Sequence, residues 1–248
     1  MKLKELNSHE RDSLIRFDEK PHIYYINGKP YDISVTSFVH KFFPKFNADE
    51  IIDKMMRSSN WCNSKYYGMT KEEIIEDWED NKNLAAHQGT IMHKDIELHY
   101  NGIKVSNNSS EFAQFLEFTK EHTHLKPYRT EWEIFDEEFM LAGSIDMLFE
   151  DEDGSLIIYD WKRSKDIKED NRWDSGYYPL SHLPHANYWH YSLQLNIYKK
   201  ILENKYKKQI SEMNLLWLHP NNENYIKLKV CDLSDEVDLM FKERKEEI

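Results

Sequence analysis

The 248 residues carry 33 Lys and Arg against 45 Asp and Glu, a formal net charge of −12, with 40 % apolar residues and seven tryptophans. That apolar and aromatic content excludes a disordered chain, and no apolar run approaches the roughly 20 residues of a membrane span. The acidic balance argues against a broad surface that coats duplex nucleic acid. The length suits one domain, or one core with an addition. The start, MKLKELNSHERDSL, lacks an apolar signal-peptide core, and its acidic residues argue against a transit peptide. An intracellular setting is therefore expected: cytoplasm, nucleoid or a virus-infected cell. Cys62 and Cys231 supply neither a disulfide framework nor a cysteine metal cluster.

Residues 1–20 hold a weak helical pattern at Leu3, Leu6, Leu14 and Phe17. HIYYINGKPY then sets Asn27-Gly28 between two apolar runs, a strong hairpin signal. In YDISVTSFV, Ser34 and Thr36 are helix caps ahead of Phe38 and Val39, and Pro44 ends that helix. Asn47 to Glu50 reads as a capping box before Ile51, Ile52 and Met55. Thr70 to Glu73 reads as a second, before Ile74, Ile75 and Trp78. A further helix is expected over AAHQGTIMHKDIELHY, residues 85–100. His93 and Glu97 are four apart there and share a face, as many surface polar pairs do.

Asn101-Gly102 ends that helix. Phe112, Phe115, Leu116 and Thr119 mark an amphipathic helix. YRTEWEIFD alternates as a strand, with Tyr128, Thr130, Trp132 and Ile134 on one face and Arg129, Glu131 and Glu133 on the other. A second strand is expected over Phe139–Phe149. The apolar run Leu156–Lys162 predicts a central, covered third strand. Lys162, Arg163, Lys165, Lys168 and Arg172 follow, diluted by acids, as either a solvated loop or a nucleic-acid contact. WDSGYYPLSHLP, residues 173–184, is a loop and a candidate substrate-side flap. A helix over 187–204, strands over 210–218 and 225–230, and a closing helix over 234–244 complete the pattern.

The chemistry concentrates in GSIDMLFEDEDGSLIIYDWK, residues 143–162. Asp160 and Lys162 share one strand face, and a hairpin pairing brings Asp146 toward it. The face bearing Asp146 is otherwise small or apolar (Met140, Ala142, Ser144, Leu148), so a lone carboxylate there is costly unless paired or bound to metal. Two carboxylates and a lysine at strand ends suit a divalent-metal site for phosphate chemistry.

Asp-x-Lys alone is unspecific. With Asp146 14 residues ahead of Asp160, GTxxHxxxE upstream and Gln194-x-x-x-Tyr198 downstream, the chain resembles the PD-(D/E)XK nuclease superfamily, in its RecB-like exonuclease branch. The Ser34-Val-Thr36 segment is similar to one near the start of several such exonucleases, the mitochondrial genome maintenance exonuclease and viral and phage relatives among them. The resemblance implies an α/β fold: a restriction-endonuclease-like core with a central mixed sheet flanked by helices. It implies a division into an N-terminal helical and hairpin addition, residues 1–84, and a nuclease core with its C-terminal helix, residues 85–248. It implies Mg²⁺ or Mn²⁺ held by His93, Asp146, Asp160 and the Trp161 carbonyl. Lys162, kept protonated by two carboxylates, would position the attacking water or stabilise the transition state, with Gln194 orienting it or the substrate and Glu97 assisting. Ser34, Thr36, Arg163, Lys165 and Tyr198 are the candidate nucleic-acid contacts. The family also places an acidic residue on the first strand, for which Glu131 is a candidate against a solvated strand face.

The branch has members with a four-cysteine iron–sulfur cluster, which two distant cysteines exclude here. Without a GK[ST] motif, any helicase or recombination partner is a separate chain. The expected activity is a metal-dependent DNA exonuclease acting from single-stranded ends, with no membrane partner. The alternatives are a structure-specific endonuclease, another phosphoryl hydrolase, or a non-catalytic subunit of a recombination or repair complex.

Overall fold

A computed structural model describes residues 2–31 and 33–248. Asp32, inside the stretch read as leading into a helix cap, lies outside the described residues. The chain divides into two compact units. One comprises the residues up to Pro44 together with Met92–Ile248, and the other is Lys45–Ile91.

The first unit begins with helix α1 (Leu3–Leu6), a 3₁₀ turn (Glu10–Leu14) and a three-stranded antiparallel sheet of β1 (Ile15–Asp18), β2 (Ile23–Ile26) and β3 (Lys29–Tyr31). Asn27 and Gly28 both take positive φ, 50° and 78°, between the paired residues Ile26 and Lys29. This is the two-residue hairpin turn that Asn-Gly favours, because neither residue is strained there. β4 (Ile33–Ser34) leads into α2 (Val35–His40), whose Ser37 amide donates to Ser34 Oγ at 3.1 Å.

The main sheet is mixed. β5 (Lys126–Asp136) and β6 (Leu141–Glu150) are antiparallel, as are β6 and β7 (Leu156–Lys162). β7 runs parallel to β8 (Ile210–Trp217), β8 antiparallel to β9 (Ile226–Lys229), and β4 parallel to the start of β6. Buried side chains of β7 alternate between two cores. Leu156 and Ile158 join the core holding α6 (Asn187–Lys205) and α7 (Ser234–Glu247). Ile157, Tyr159 and Trp161 join the one holding α5 (Ser110–Glu121), Met92 and Ile96. A strand covered on both faces needs a near-continuous apolar run, which Leu156–Trp161 supplies.

Three expectations change. Phe139 and Met140 stand in a turn, and β6 starts at Leu141. Asp136 Oδ1 accepts from the Glu138 and Phe139 amides at 2.9 and 3.4 Å, closing the chain before Met140 at φ 51°. The helical segments on either side of Leu84 are one helix, α4 (Lys71–Tyr100), which continues through Gly89. The alternation along β5 fails at Glu131, as described below.

In the second unit, α3 (Ala48–Met56) is capped by Asn47, whose Oδ1 accepts from the Glu50 amide. Thr70 and Glu73 cap the start of α4 reciprocally, at 2.7 and 3.2 Å. Lys71 Nζ lies 2.9 Å from both Asp49 and Asp53, and the Trp78 indole donates to Tyr66 Oη at 2.7 Å. Among the described residues no helix is long and apolar enough to cross a membrane.

Candidate active site at the divergence of two strands

Pairing between β6 and β7 stops at Met147 and Tyr159, while β7 stays paired with β8 as far as Lys162. The strands part there, and Asp146 enters the gap. Its Oδ2 accepts from the Trp161 amide at 2.8 Å. Extending the β6–β7 register by one place sets Asp146 opposite Asp160. In the β5–β6 register Glu131 stands opposite Asp146. Glu131, Asp146 and Asp160 thus form a row of carboxylates across three strands.

Glu131 has φ 45°. A non-glycine residue in that region costs on the order of 1 kcal/mol. The distortion also changes which residues share a side. Arg129 and Trp132, three apart, both reach Asp12, while Glu131 approaches the row. Ser144 Oγ donates to Glu131 Oε2 at 3.3 Å.

His93 arrives from α4. Its Nε2 donates to the Trp161 carbonyl at 2.9 Å, and its Nδ1 lies 3.5 Å from Asp146 Oδ2 and 3.9 Å from Glu131 Oε1. Ligand atoms of His93, Glu131 and Asp146 all lie within 4.8 Å of one another. Asp160 stands outside this cluster. Its Oδ2 is buried and ion-paired with Lys162 Nζ at 2.7 Å. Lys162 in turn lies 4.5 Å above the Tyr191 ring. One imidazole and two carboxylates with converging ligand atoms fit a divalent cation.

The charges are strongly coupled. Burial opposes charge on His93, but Asp146 and Glu131 outweigh it and hold the imidazolium well above its ordinary range. Burial likewise opposes the Lys162 ammonium, and Asp160 and Asp146 hold its pKa up. Asp160 is pushed up to about 6, by burial first and by Asp146, against the pull of Lys162. Asp146 moves down despite burial, because His93 and Lys162 favour its ionised form. Burial raises Glu131. A cation must displace the His93 proton and meet ionised carboxylates. Mn²⁺ affinity is therefore expected to rise at least ~10-fold from about pH 5 to 7, with proton release. Calorimetry in two buffers of different ionisation heat checks this, and a pH-independent affinity would contradict it.

The other sequence candidates separate. Glu97 lies near enough to raise Glu131, but its carboxylate pairs with Lys94 at 2.7 Å. Ser34 caps α2. Arg163 Nε is committed to Glu111 at 2.6 Å, half-buried against α5, whereas Lys165 is exposed. The Trp161 carbonyl accepts from His93. Thr36 and Gln194 line a cleft of about 320 Å³ together with Lys162, His40, His190 and Tyr191. The last three were not singled out as site residues in the sequence. Tyr191 had a signal, since Asn187, Tyr191, Gln194 and Tyr198 fall at helical spacing on one side of α6.

Tyr198 is buried, and its Oη accepts from Gln194 Nε2 at 3.0 Å. Gly143 makes room for it: a Cβ there would meet Tyr198 Cε1 at 2.6 Å and Oη at 2.8 Å. Gly143→Ala is expected to destabilise the fold by about 1–3 kcal/mol through overpacking. Urea unfolding checks this, and Gly143→Ala should cost less in a Tyr198→Ala background than in wild type if the clash is its cause.

A family model described as the PD-(D/E)XK nuclease superfamily matches residues 104–246. That range holds Glu131, Asp146, Asp160, Lys162 and Gln194, and begins after His93. A search of curated protein sequences gives no match. Among solved structures the chain is similar to the crystal structure of SSO0001, with 14 % identity and a TM-score of 0.36, over 99 % of this chain and 81 % of that one.

Proposed function

Because the chain belongs to the PD-(D/E)XK nuclease superfamily, we propose that it is a Mg²⁺- or Mn²⁺-dependent deoxyribonuclease of the RecB-like exonuclease kind, acting from single-stranded DNA ends. The observation that carries the reading is the convergence of His93, Glu131 and Asp146, with the Asp160–Lys162 pair alongside. His93, Glu131 and Asp146 would hold the ion, with Asp160 next in the row. A divalent ion supplies an acidified water and offsets charge on the scissile phosphate. Lys162, a protonated lysine steadied by Asp160 and the Tyr191 ring, places positive charge where the phosphate gains negative charge. Gln194, on the cleft wall and fixed by Tyr198, orients the substrate beside Lys162. The preference for DNA ends rests on the GTxxHxxxE and Gln-x-x-x-Tyr motifs.

End-labelled linear and circular single-stranded DNA, in Mn²⁺ or Mg²⁺ and in EDTA, test this. Metal-dependent loss of linear strands with circles spared is the expected result, and the label released reports polarity. Cleavage of circles would replace the exonuclease reading with an endonuclease. An inert chain in both metals would leave a non-catalytic nucleic-acid-binding role.

A further inference from the structure

The stretch between β7 and α6 exposes three large aromatic side chains within six residues. Trp173 is 90 % exposed, Tyr178 69 % and Tyr177 54 %. The loop bearing them is nevertheless tied down. Leu180 and Leu183 are buried. The Gly176 amide donates to Leu183 O at 3.0 Å, the His185 amide to Asp174 O at 2.9 Å, and the Tyr177 amide to Phe42 O at 2.7 Å. Asn171 Oδ1 accepts from the Trp173 amide at 3.0 Å. Gly176 permits the tight return, since a Cβ there would lie 2.6 Å from Leu180 O. The backbone holding the indole in solvent is pinned, so little ordering remains to be lost when a ligand covers it.

Trp173 borders a cleft of about 500 Å³ with Lys168, Arg172, His185 and Asn187. Asn187 also borders the cleft that contains Lys162. The two clefts therefore share Asn187 as a wall residue, and Trp173 stands at the border of the cleft next to the one that holds Lys162. The charges of the Trp173 cleft largely cancel. Lys168 lies 3.7 Å from Asp166, and Arg172 3.6 Å from Asp170, all exposed. Such pairs leave little net attraction for phosphates. What this cleft offers a strand beyond its paired charges is an aromatic face, and every unpaired base offers a matching one.

We propose that Trp173 is a stacking platform for the bases of single-stranded nucleic acid leading to Lys162. The proposal rests on the nuclease reading above and names the residue that would hold the single strand that reading invokes. Paired bases do not offer their faces, so the platform selects single strands over duplex. Its contribution does not arise from ion release, so it is insensitive to salt.

Fluorescence anisotropy of a labelled oligothymidylate and of a labelled duplex, both in EDTA, tests it with wild type, Trp173→Ala and Trp173→Phe. Trp173→Ala is expected to weaken single-strand binding about 5- to 100-fold, by the same factor at low and high salt. Trp173→Phe should recover most of the affinity, and duplex binding should not change. Equal single-strand affinity in wild type and Trp173→Ala would overturn the platform while leaving the nuclease reading intact. An equal loss on duplex would also overturn it. Wild type that binds no single strand in EDTA would overturn the platform, while the nuclease reading stands or falls on cleavage with Mn²⁺ or Mg²⁺. Near-complete exposure of the indole makes misfolding of these variants an easily excluded cause, by their thermal unfolding.

Discussion

Lys162→Ala is expected to lower turnover on DNA by about 10²–10³-fold, the effect of removing one preorganised charge from a transition state. The ammonium is held by Asp160 at 2.7 Å and stands over Tyr191, so its position costs no reorganisation when charge develops. Mn²⁺ binding should survive, since His93, Glu131 and Asp146 are untouched. The fold should survive too, for a specific reason. Asp160 already has its pKa raised to about 6, and without Lys162 it can take a proton rather than remain a buried, uncompensated anion. A carboxyl whose folded pKa lies above its unfolded value of about 3.9 loses stability as pH rises through that interval. The variant's melting temperature, relative to wild type, should therefore be highest at mildly acidic pH and fall toward pH 8. Steady-state turnover and thermal unfolding of the same preparation check both halves. Turnover equal to wild type would remove Lys162 from the chemistry.

The second large effect is on stability, away from the metal cluster. Asp12→Ala is expected to cost about 3–5 kcal/mol, the scale for breaking a buried ion pair by removing one partner. Asp12 Oδ2 accepts from Arg129 Nη1 at 2.7 Å, and Oδ1 from the Trp132 indole at 2.9 Å. The Arg129 side chain is 1 % exposed, and its remaining contacts include the Asn7 carbonyl at 3.1 Å. Without Asp12 a guanidinium over the Trp132 ring and the indole N–H both lose their acceptor in the core, and the 3₁₀ turn loses its tie to β5. Burial pushes the Asp12 pKa up, but Arg129, the His9 amide and the Trp132 indole outweigh it and lower it. A depressed carboxylate contributes stability that is present above its unfolded pKa of about 3.9 and lost as pH falls through its folded value. The gap between wild type and Asp12→Ala in urea unfolding should be full at pH 7 and close below about pH 4. Asp12→Asn, which keeps an acceptor, should lose less.

Much of this was legible where a local rule and the tertiary fold agree. Asn27-Gly28 gave its hairpin because both residues accept positive φ. Leu156–Lys162 gave the central strand because a doubly covered strand leaves no polar face. The Asp146–Asp160 juxtaposition followed from the expected hairpin register. Glu131 was harder to read. Strict alternation puts it with Arg129, and only the distortion at φ 45° turns the two to different partners. No single-sequence pattern announces that distortion. Arg163 shows another limit: its place after the Asp-x-Lys strand suggests a phosphate contact, and nothing in the sequence announces that Glu111 of α5 engages it across 52 positions. The His40 and His190 rings, 5.4 Å apart, meet in the Lys162 cleft through packing of α2 on α6, which no spacing within either helix reveals.

Titration of the metal-free protein with Mn²⁺ at pH 7.5, followed by calorimetry for wild type and for Asp146→Asn, bears most directly on the central claim. The account predicts one saturable site in wild type, occupied with release of protons, and its loss in Asp146→Asn without loss of the fold. No Mn²⁺ or Mg²⁺ binding in a folded wild-type chain, or equal binding in Asp146→Asn, would contradict it.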